Sequence, residues 1–149
     1  MAETSLRARA IRLLAQRDHS RAELARKLAG HGSEQEIGAT LERMIELGLQ
    51  SDSRFAQAWI RSKSGRFGVA RLRHDLAQRG VAREIIDSAL ASECPSDEID
   101  RARAVWAARF GHRARDRREW AKQARFLQGR GFSSAVIGKL LKENPDEPA

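Results

Sequence analysis

Groups able to do acid–base, nucleophilic or metal chemistry are few in this chain, and they stand apart. His19, His31, His74 and His112 are scattered, and none is spaced with another His or Cys as metal ligands are. Cys94 is the only cysteine and has no base beside it in sequence. No Walker-type phosphate loop, Gly-x-Ser-x-Gly elbow or His-Glu-x-x-His pair occurs. Carboxylates cluster only at helix starts and in one acidic stretch. The pattern points away from an enzyme and implies no cofactor or metal, although sites assembled from distant residues leave no such trace.

The remaining chemistry is charge. With 28 Lys and Arg against 20 Asp and Glu, the 149-residue chain carries a formal net charge of +8. An excess of this kind points to an anionic partner, most often nucleic acid or a nucleoprotein, against a merely basic surface in an arginine-rich composition. The charge is also segregated. From Arg54 to Arg83 there are eight bases and one acid, Asp75; from Glu84 to Asp100, six acids and no base; from Arg101 to Arg130, ten bases and two acids. Clustered bases suit phosphates, because each neutralised phosphate releases counterions. The sharpest clusters are Arg66 with Arg71 and Arg73, and the run from His112 through Arg113, Arg115, Arg117 and Arg118. Arg79, Arg125 and Arg130 complete the candidate basic set. For Arg101 and Arg103 a solvated helix face is the plainer reading, with acids three or four residues earlier. Phe67, beside Arg66, suits either stacking on a base or packing under its loop.

The elements that must position these residues read as helices throughout. Only three prolines occur, strong helix formers dominate, and no long segment alternates with period two. Helices are expected over about residues 4–17, 21–29, 34–47, 53–63, 69–79, 82–92, 97–110, 116–129 and 134–142. Leu6, Ala10 and Leu14 share a face, with Ile11 and Leu13 beside them. Ser20 with Glu23 and Ser33 with Glu36 have the form of capping boxes. Asp52 or Ser53 caps the fourth helix, Ser96 or Asp97 the seventh, and Ser133 or Ser134 the last. Ile37, Leu41, Met44 and Ile45 stripe the third helix. Gly30 and Gly32 end the second, since glycine takes the left-handed C-terminal conformation without steric cost.

Three segments superpose. Leu28, Leu76 and Leu127 form one column; Gly32, Gly80 and Gly131 lie four residues on, Ile37, Ile85 and Val136 nine on, and Leu41, Ala89 and Leu140 thirteen on. The offsets are 48 and then 51 residues. A helix, a glycine stop and a second helix, each copy preceded by a further helix, is the mark of a repeat array. The expected fold is all-α: three tandem three-helix, helix-turn-helix-like repeats in an elongated, curved array. The repeats span residues 1–49, 50–95 and 96–143, and a frayed tail spans 144–149. Sequence-specific DNA reading is not expected, because the second helices carry Glu34, Glu36, Glu42, Glu84 and Asp87.

A single cysteine excludes a disulfide scaffold, arginine interrupts every apolar run near the N-terminus, and no stretch approaches the ~20 apolar residues of a membrane span. These features imply a cytoplasmic protein without membrane contact, and a monomer is the default.

The segments HSRAELARKL (His19–Leu28) and RFLQGRGFS (Arg125–Ser133), with LERMIELGLQSDSRFAQAWIRSK and GVARLRHDLAQRGVAREIIDSAL between them, resemble the RecX family of bacterial regulators of the RecA recombinase. The resemblance runs from about Arg9 to Lys142. Ser33 stands where an aromatic often follows the first-unit glycine, and Val69 where proline is common. The resemblance implies three tandem three-helix units that bind RecA and lodge in the groove of the RecA–DNA filament. There they would restrain strand exchange, ATP hydrolysis and coprotease activity, in DNA recombination, repair and the SOS response. DNA is then a partner directly or through the filament. The charge pattern by itself fits two other readings: a stand-alone basic nucleic-acid-binding module, and a helical scaffold for some other protein.

Overall fold

A computed structural model describes residues 2–94 and 97–142. Among them the chain forms nine α-helices and no strand: α1 (Ala2–Gln16), α2 (Arg21–Leu28), α3 (Glu34–Glu46), α4 (Asp52–Lys63), α5 (Val69–Gln78), α6 (Arg83–Glu93), α7 (Glu98–Arg109), α8 (Arg117–Gly129) and α9 (Ser134–Leu141). The expected boundary at Pro95 and Ser96 and the expected frayed tail lie outside the described residues. By packing, the chain divides into two compact units, residues 1–58 with 76–89 and residues 59–75 with 90–149.

In the first unit α1 packs on α2 and α3 around Leu6, Ala10, Leu24, Leu28, Leu41 and Met44, with Leu13, Leu14, Ala25 and Ile37 against them. Both capping boxes form: the Ser20 hydroxyl accepts from the Glu23 N–H and the Ser33 hydroxyl from the Glu36 N–H, each at 3.1 Å, while the glutamates accept from the cap N–H groups. The Ser33 bonds hold the Glu36 carboxyl below its ordinary pKa. Two expected core positions differ. Ile11 and Ile45 are 42% and 41% exposed, since by helical spacing each falls at the edge of its helix's apolar face. The α4 cap differs too: the Ser51 hydroxyl accepts from the Arg54 N–H, and Asp52 has another task described below.

In the second unit α7, α8 and α9 enclose Ala102, Val105, Leu127, Phe132, Ile137, Leu140 and Leu141. Asp97, Asp116 and Ser133 cap the three helices through side-chain oxygens that accept backbone N–H bonds.

The glycine column holds in position but not in role. Gly80 and Gly131 have φ of +80° and +93°, whereas in the first repeat the left-handed residue is Gly30, at +85°. Gly32 is instead a close-approach site: a Cβ there would lie 2.6 Å from Leu6 Cδ1. The α2 helix therefore stops two residues earlier relative to Leu28, and the column's glycine is kept for packing.

Each unit contains a joint between successive repeats, and the two joints share one plan. In the first unit the Ser20 hydroxyl donates to the Arg79 carbonyl (2.6 Å), Asp52 accepts from the Arg21 N–H (2.7 Å), and the Gln50 amide donates to the His19 carbonyl (3.2 Å) and to Asp52 (2.9 Å). In the second unit the Gly68 N–H donates to the Arg130 carbonyl (2.7 Å), Glu98 accepts from the Val69 N–H (3.0 Å), and Arg101 donates to the Ser64 and Phe67 carbonyls (3.0 and 2.9 Å). His19, Ser20 and Arg21 map onto Phe67, Gly68 and Val69 by the 48-residue offset, and Arg79 onto Arg130 by the 51-residue offset. The start of one repeat's second helix thus binds the glycine stop of the next repeat, and the next repeat supplies a carboxylate and a donor from its first helix or, for Gln50, from just before it. In the second joint a Cβ on Gly68 would strike the Gly131 backbone, so a backbone N–H does what the Ser20 hydroxyl does in the first. Arg101 therefore belongs to this joint and not to a solvated helix pair, while Arg103 does pair with Asp100 at 3.1 Å.

His19 is buried in the first joint, its Nδ1 3.0 Å from the Arg17 carbonyl. Burial pushes the imidazole below its ordinary value, and the bond to Arg17 opposes that only in part.

Candidate anion-binding site

The second unit gathers guanidinium groups on phenylalanine rings. Arg66 follows α4 in an exposed turn, Arg71 lies in the first turn of α5, and Arg130 caps α8. All three face Phe67, at 5.6, 4.8 and 5.4 Å from the ring centroid. The ring is half-buried, with arginines around it, so it supports cations through its quadrupole rather than standing free to stack on a base. Arg130 also lies 5.1 Å from Phe126, which Arg109 approaches at 5.6 Å; Arg109 in turn lies 5.2 Å from Phe110. Phe110 and Phe126 meet edge to face, centroids 5.4 Å apart. Three of the chain's five phenylalanines are thus committed to arginines, which marks the cluster as built rather than incidental.

Arg71 is only partly available. Asp75 pairs with it at 3.2 Å across one helical turn, and it donates to the Gly129 carbonyl at 3.3 Å. Arg73, on the same helix, also has a partner. Arg79 belongs to the first unit, where its guanidinium is 4.0 Å from Glu23 and its carbonyl serves the joint. Arg125 is exposed on α8.

Arg113, Arg115, Arg117 and Arg118 form a separate group around the start of α8, all exposed. Their loop is fixed from beneath. Ala114 is buried, and Gln123, 2% exposed, accepts from Trp106 Nε1 (3.0 Å) and donates to the His112 carbonyl (3.2 Å). The Arg115 N–H donates to Glu119 at 2.8 Å. Beside the loop lies a cavity of about 270 Å³ lined by Arg103, Trp106, Arg113, Gln123, Leu140 and Leu141. Cations in the first turn of a helix oppose its dipole, at a cost of about 0.3–1 kcal/mol each at exposed sites. Arg117 and Arg118 therefore sit where helix stability alone would not place them.

Arg109, Phe110 and Phe126 escaped the sequence-based set. The available signal was the tripeptide Ala-Arg-Phe, which occurs at Ala108–Phe110 and again at Ala124–Phe126. Among the described residues no group of three His, Cys, Asp or Glu assembles a metal site, and no helix is long and apolar enough to cross a membrane.

Sequence profiles of the RecX first, second and third three-helix domains match residues 7–44, 51–90 and 96–141. The chain belongs to the RecX family. Regulatory protein RecX of Leptothrix cholodnii is 43% identical over 141 residues, covering 94% of this chain and 89% of that protein. Regulatory protein RecX of Pseudomonas putida KT2440 is 45% identical over 140 residues, covering 92% and 89%. The crystal structure of RecX from Lactobacillus salivarius superposes with a TM-score of 0.81 at 21% identity, covering 95% of this chain and 96% of that one. A second RecX crystal structure gives 0.82 at 22% identity, covering 95% and 74%. These likenesses establish the all-α, three-repeat RecX fold, in agreement with the nine helices and the repeated joint.

Proposed function

We propose that this chain is a regulator of the RecA recombinase that binds the RecA–DNA filament in its groove and mainly inhibits recombination, ATP hydrolysis and coprotease activity. The observation that carries the reading is the match of all three RecX domains in order along one chain, with relatives above 40% identity that are themselves named regulatory proteins. The arginine clusters support it, since a filament carrying DNA presents phosphates and exposed bases are the means to meet them. In this reading the protein acts in the cytoplasm as a monomer in DNA repair and the SOS response. It does no chemistry of its own, and its three repeats span residues 1–49, 50–95 and 96–143. Arg66, Arg71, Arg73, Arg113, Arg115, Arg117, Arg118, Arg125 and Arg130 are its filament-facing bases, with Arg79 weakened as a candidate by Glu23. The test is single-strand-dependent ATP hydrolysis by RecA, with this protein added below stoichiometry. Hydrolysis should fall progressively, and no inhibition at any ratio would sink the proposal.

A second reading, a stand-alone nucleic-acid-binding module, is favoured by the four arginines gathered on Phe67 and Phe126. It requires tight, salt-sensitive binding to bare DNA together with no effect on RecA.

A further inference from the structure

Arg66, Arg109 and Arg130 line one open cleft of about 300 Å³, entirely within the second unit. Three other exposed arginines of this unit have acids, Arg61 with Glu93, Arg71 with Asp75 and Arg103 with Asp100, whereas the exposed Arg113, Arg115, Arg117, Arg118 and Arg125 are not gathered on shared rings. Among the described residues no carboxylate lies within ion-pair distance of the three that line the cleft. They are drawn together by shared rings, Phe67 holding Arg66 and Arg130 and Phe126 holding Arg109 and Arg130. Like charges at close quarters repel, and the ring quadrupoles offset that only in part. An anion between the three would relieve that repulsion. Its floor is small and apolar, made by Ala104, Val105 and Ala108.

We infer that this cleft takes one nucleotide unit of single-stranded nucleic acid, with its phosphates on the three guanidiniums and its base on the alanine floor. Guanidinium planes suit both parts, since they fork onto phosphate oxygens and stack on flat rings. The phenylalanine faces are already occupied by arginines, so the base rests on the floor and against a guanidinium. The volume is at the low end of the ~300–1,000 Å³ of small-ligand sites, which fits one unpaired base and not a duplex whose bases stay paired. The loop arginines around Ala114 carry the same charge away from this cleft, with only Arg113 among them lining the neighbouring cavity, and serve as a control surface. The inference concerns the bare strand and does not depend on the RecA reading.

The experiment is fluorescence anisotropy of a short labelled oligothymidylate without RecA, at about 50 and about 200 mM salt. The variant Arg66→Gln/Arg109→Gln/Arg130→Gln should lose about ten-fold or more in affinity. Its log–log salt slope should fall by about 1.4, from the two phosphates that flank one nucleotide at about 0.7 each on a single strand. The neutral loop variant of Arg113, Arg115, Arg117 and Arg118 should lose less. Because Arg130 packs between two rings, circular dichroism must show the triple variant folded. The single variant Arg66→Gln, in an exposed turn, should by itself lower the slope by about 0.7. Unchanged binding in both cleft variants, or an equal loss in the loop variant, overturns the inference. Equal affinity for an abasic strand overturns the base contact. Displacement by polyglutamate as effective as by unlabelled strand overturns the ligand class in favour of an acidic protein segment. RecA inhibition, measured separately on the same variants, can stand or fall without deciding the cleft.

Discussion

Gly131 meets two demands at once. Its φ of +93° lies in the left-handed region, and a Cβ there would strike Arg71 at the start of α5, 2.6 Å from its backbone nitrogen. Gly30 has a similar φ, +85°, with nothing within 4 Å of the added atom. The pair separates backbone strain from joint packing. Gly30→Ala should cost about 1–2 kcal/mol, the strain of placing a Cβ in that conformation. Gly131→Ala should cost about 2–5 kcal/mol, because the overpacking of a tight contact adds about 1–3 kcal/mol to the same strain. Urea unfolding of both variants measures the difference; equal losses would mean that the approach of Arg71 is soft. The same contrast explains why the glycine column misleads in the first repeat. Gly32 sits in register for packing on Leu6, while the helix-ending conformation has moved to Gly30. A sequence column records that a position lacks a side chain, and two unrelated physical needs leave that same mark.

At the scale of the element, a helix cap here is also part of the joint between repeats. The Ser20 hydroxyl accepts from the Glu23 N–H and donates to the Arg79 carbonyl, and it is fully buried. Ser33 makes the same capping box in an exposed position, and none of its described bonds crosses to another repeat. Ser33→Ala should cost about 1 kcal/mol, the ordinary value of a cap. Ser20→Ala should cost about 2–4 kcal/mol, since it also strands the Arg79 carbonyl, a loss of about 1–3 kcal/mol. Unfolding free energies from denaturant titration decide it, and equal costs would show that the joint bond is replaceable by water. Helix number, approximate bounds and both boxes were legible in the sequence because caps and apolar periodicity are local. The joint was not. Asp52 reads as an N-cap and Arg101 as half of a helical ion pair, yet both reach backbone groups of another repeat more than thirty residues away, Asp52 the Arg21 N–H and Arg101 the Ser64 and Phe67 carbonyls. Ile45 differs for a plainer reason: its spacing puts it at the edge of the α3 stripe, where a side chain is only partly covered.

At the scale of the whole molecule, α8 departs from the plan that α2 and α5 share. Counted from its column leucine, its N-cap Asp116 lies eleven residues back, against eight for Ser20 and Gly68. The extra turn removes the joint position from register, so the third repeat lacks the joint surface that the first two present. What it offers instead is charge, and a sequence shows clusters of charge without showing which members are neutralised. Arg113, Arg115, Arg117 and Arg118 are readable as a run, whereas the coming together of Arg66, Arg109 and Arg130 required the fold. The loop run is testable for function because its structural and functional readings predict opposite signs. Reversing all four to glutamate removes two charge units at each position, which takes the net charge from +8 to zero. If the run only decorates α8, the reversal should help: acids in a first turn favour the helix dipole by about 0.3–1 kcal/mol each at exposed sites. Thermal stability is therefore expected to hold or rise. Association with an anionic filament should instead slow by about ten-fold at about 50 mM salt, and the gap should narrow at about 200 mM as screening shortens the reach of the field. Stopped-flow association with RecA–DNA filaments at the two salt concentrations measures this. Unchanged rates at both would remove the loop from the interaction surface, and a fall in stability would mean that the arginines hold the loop itself.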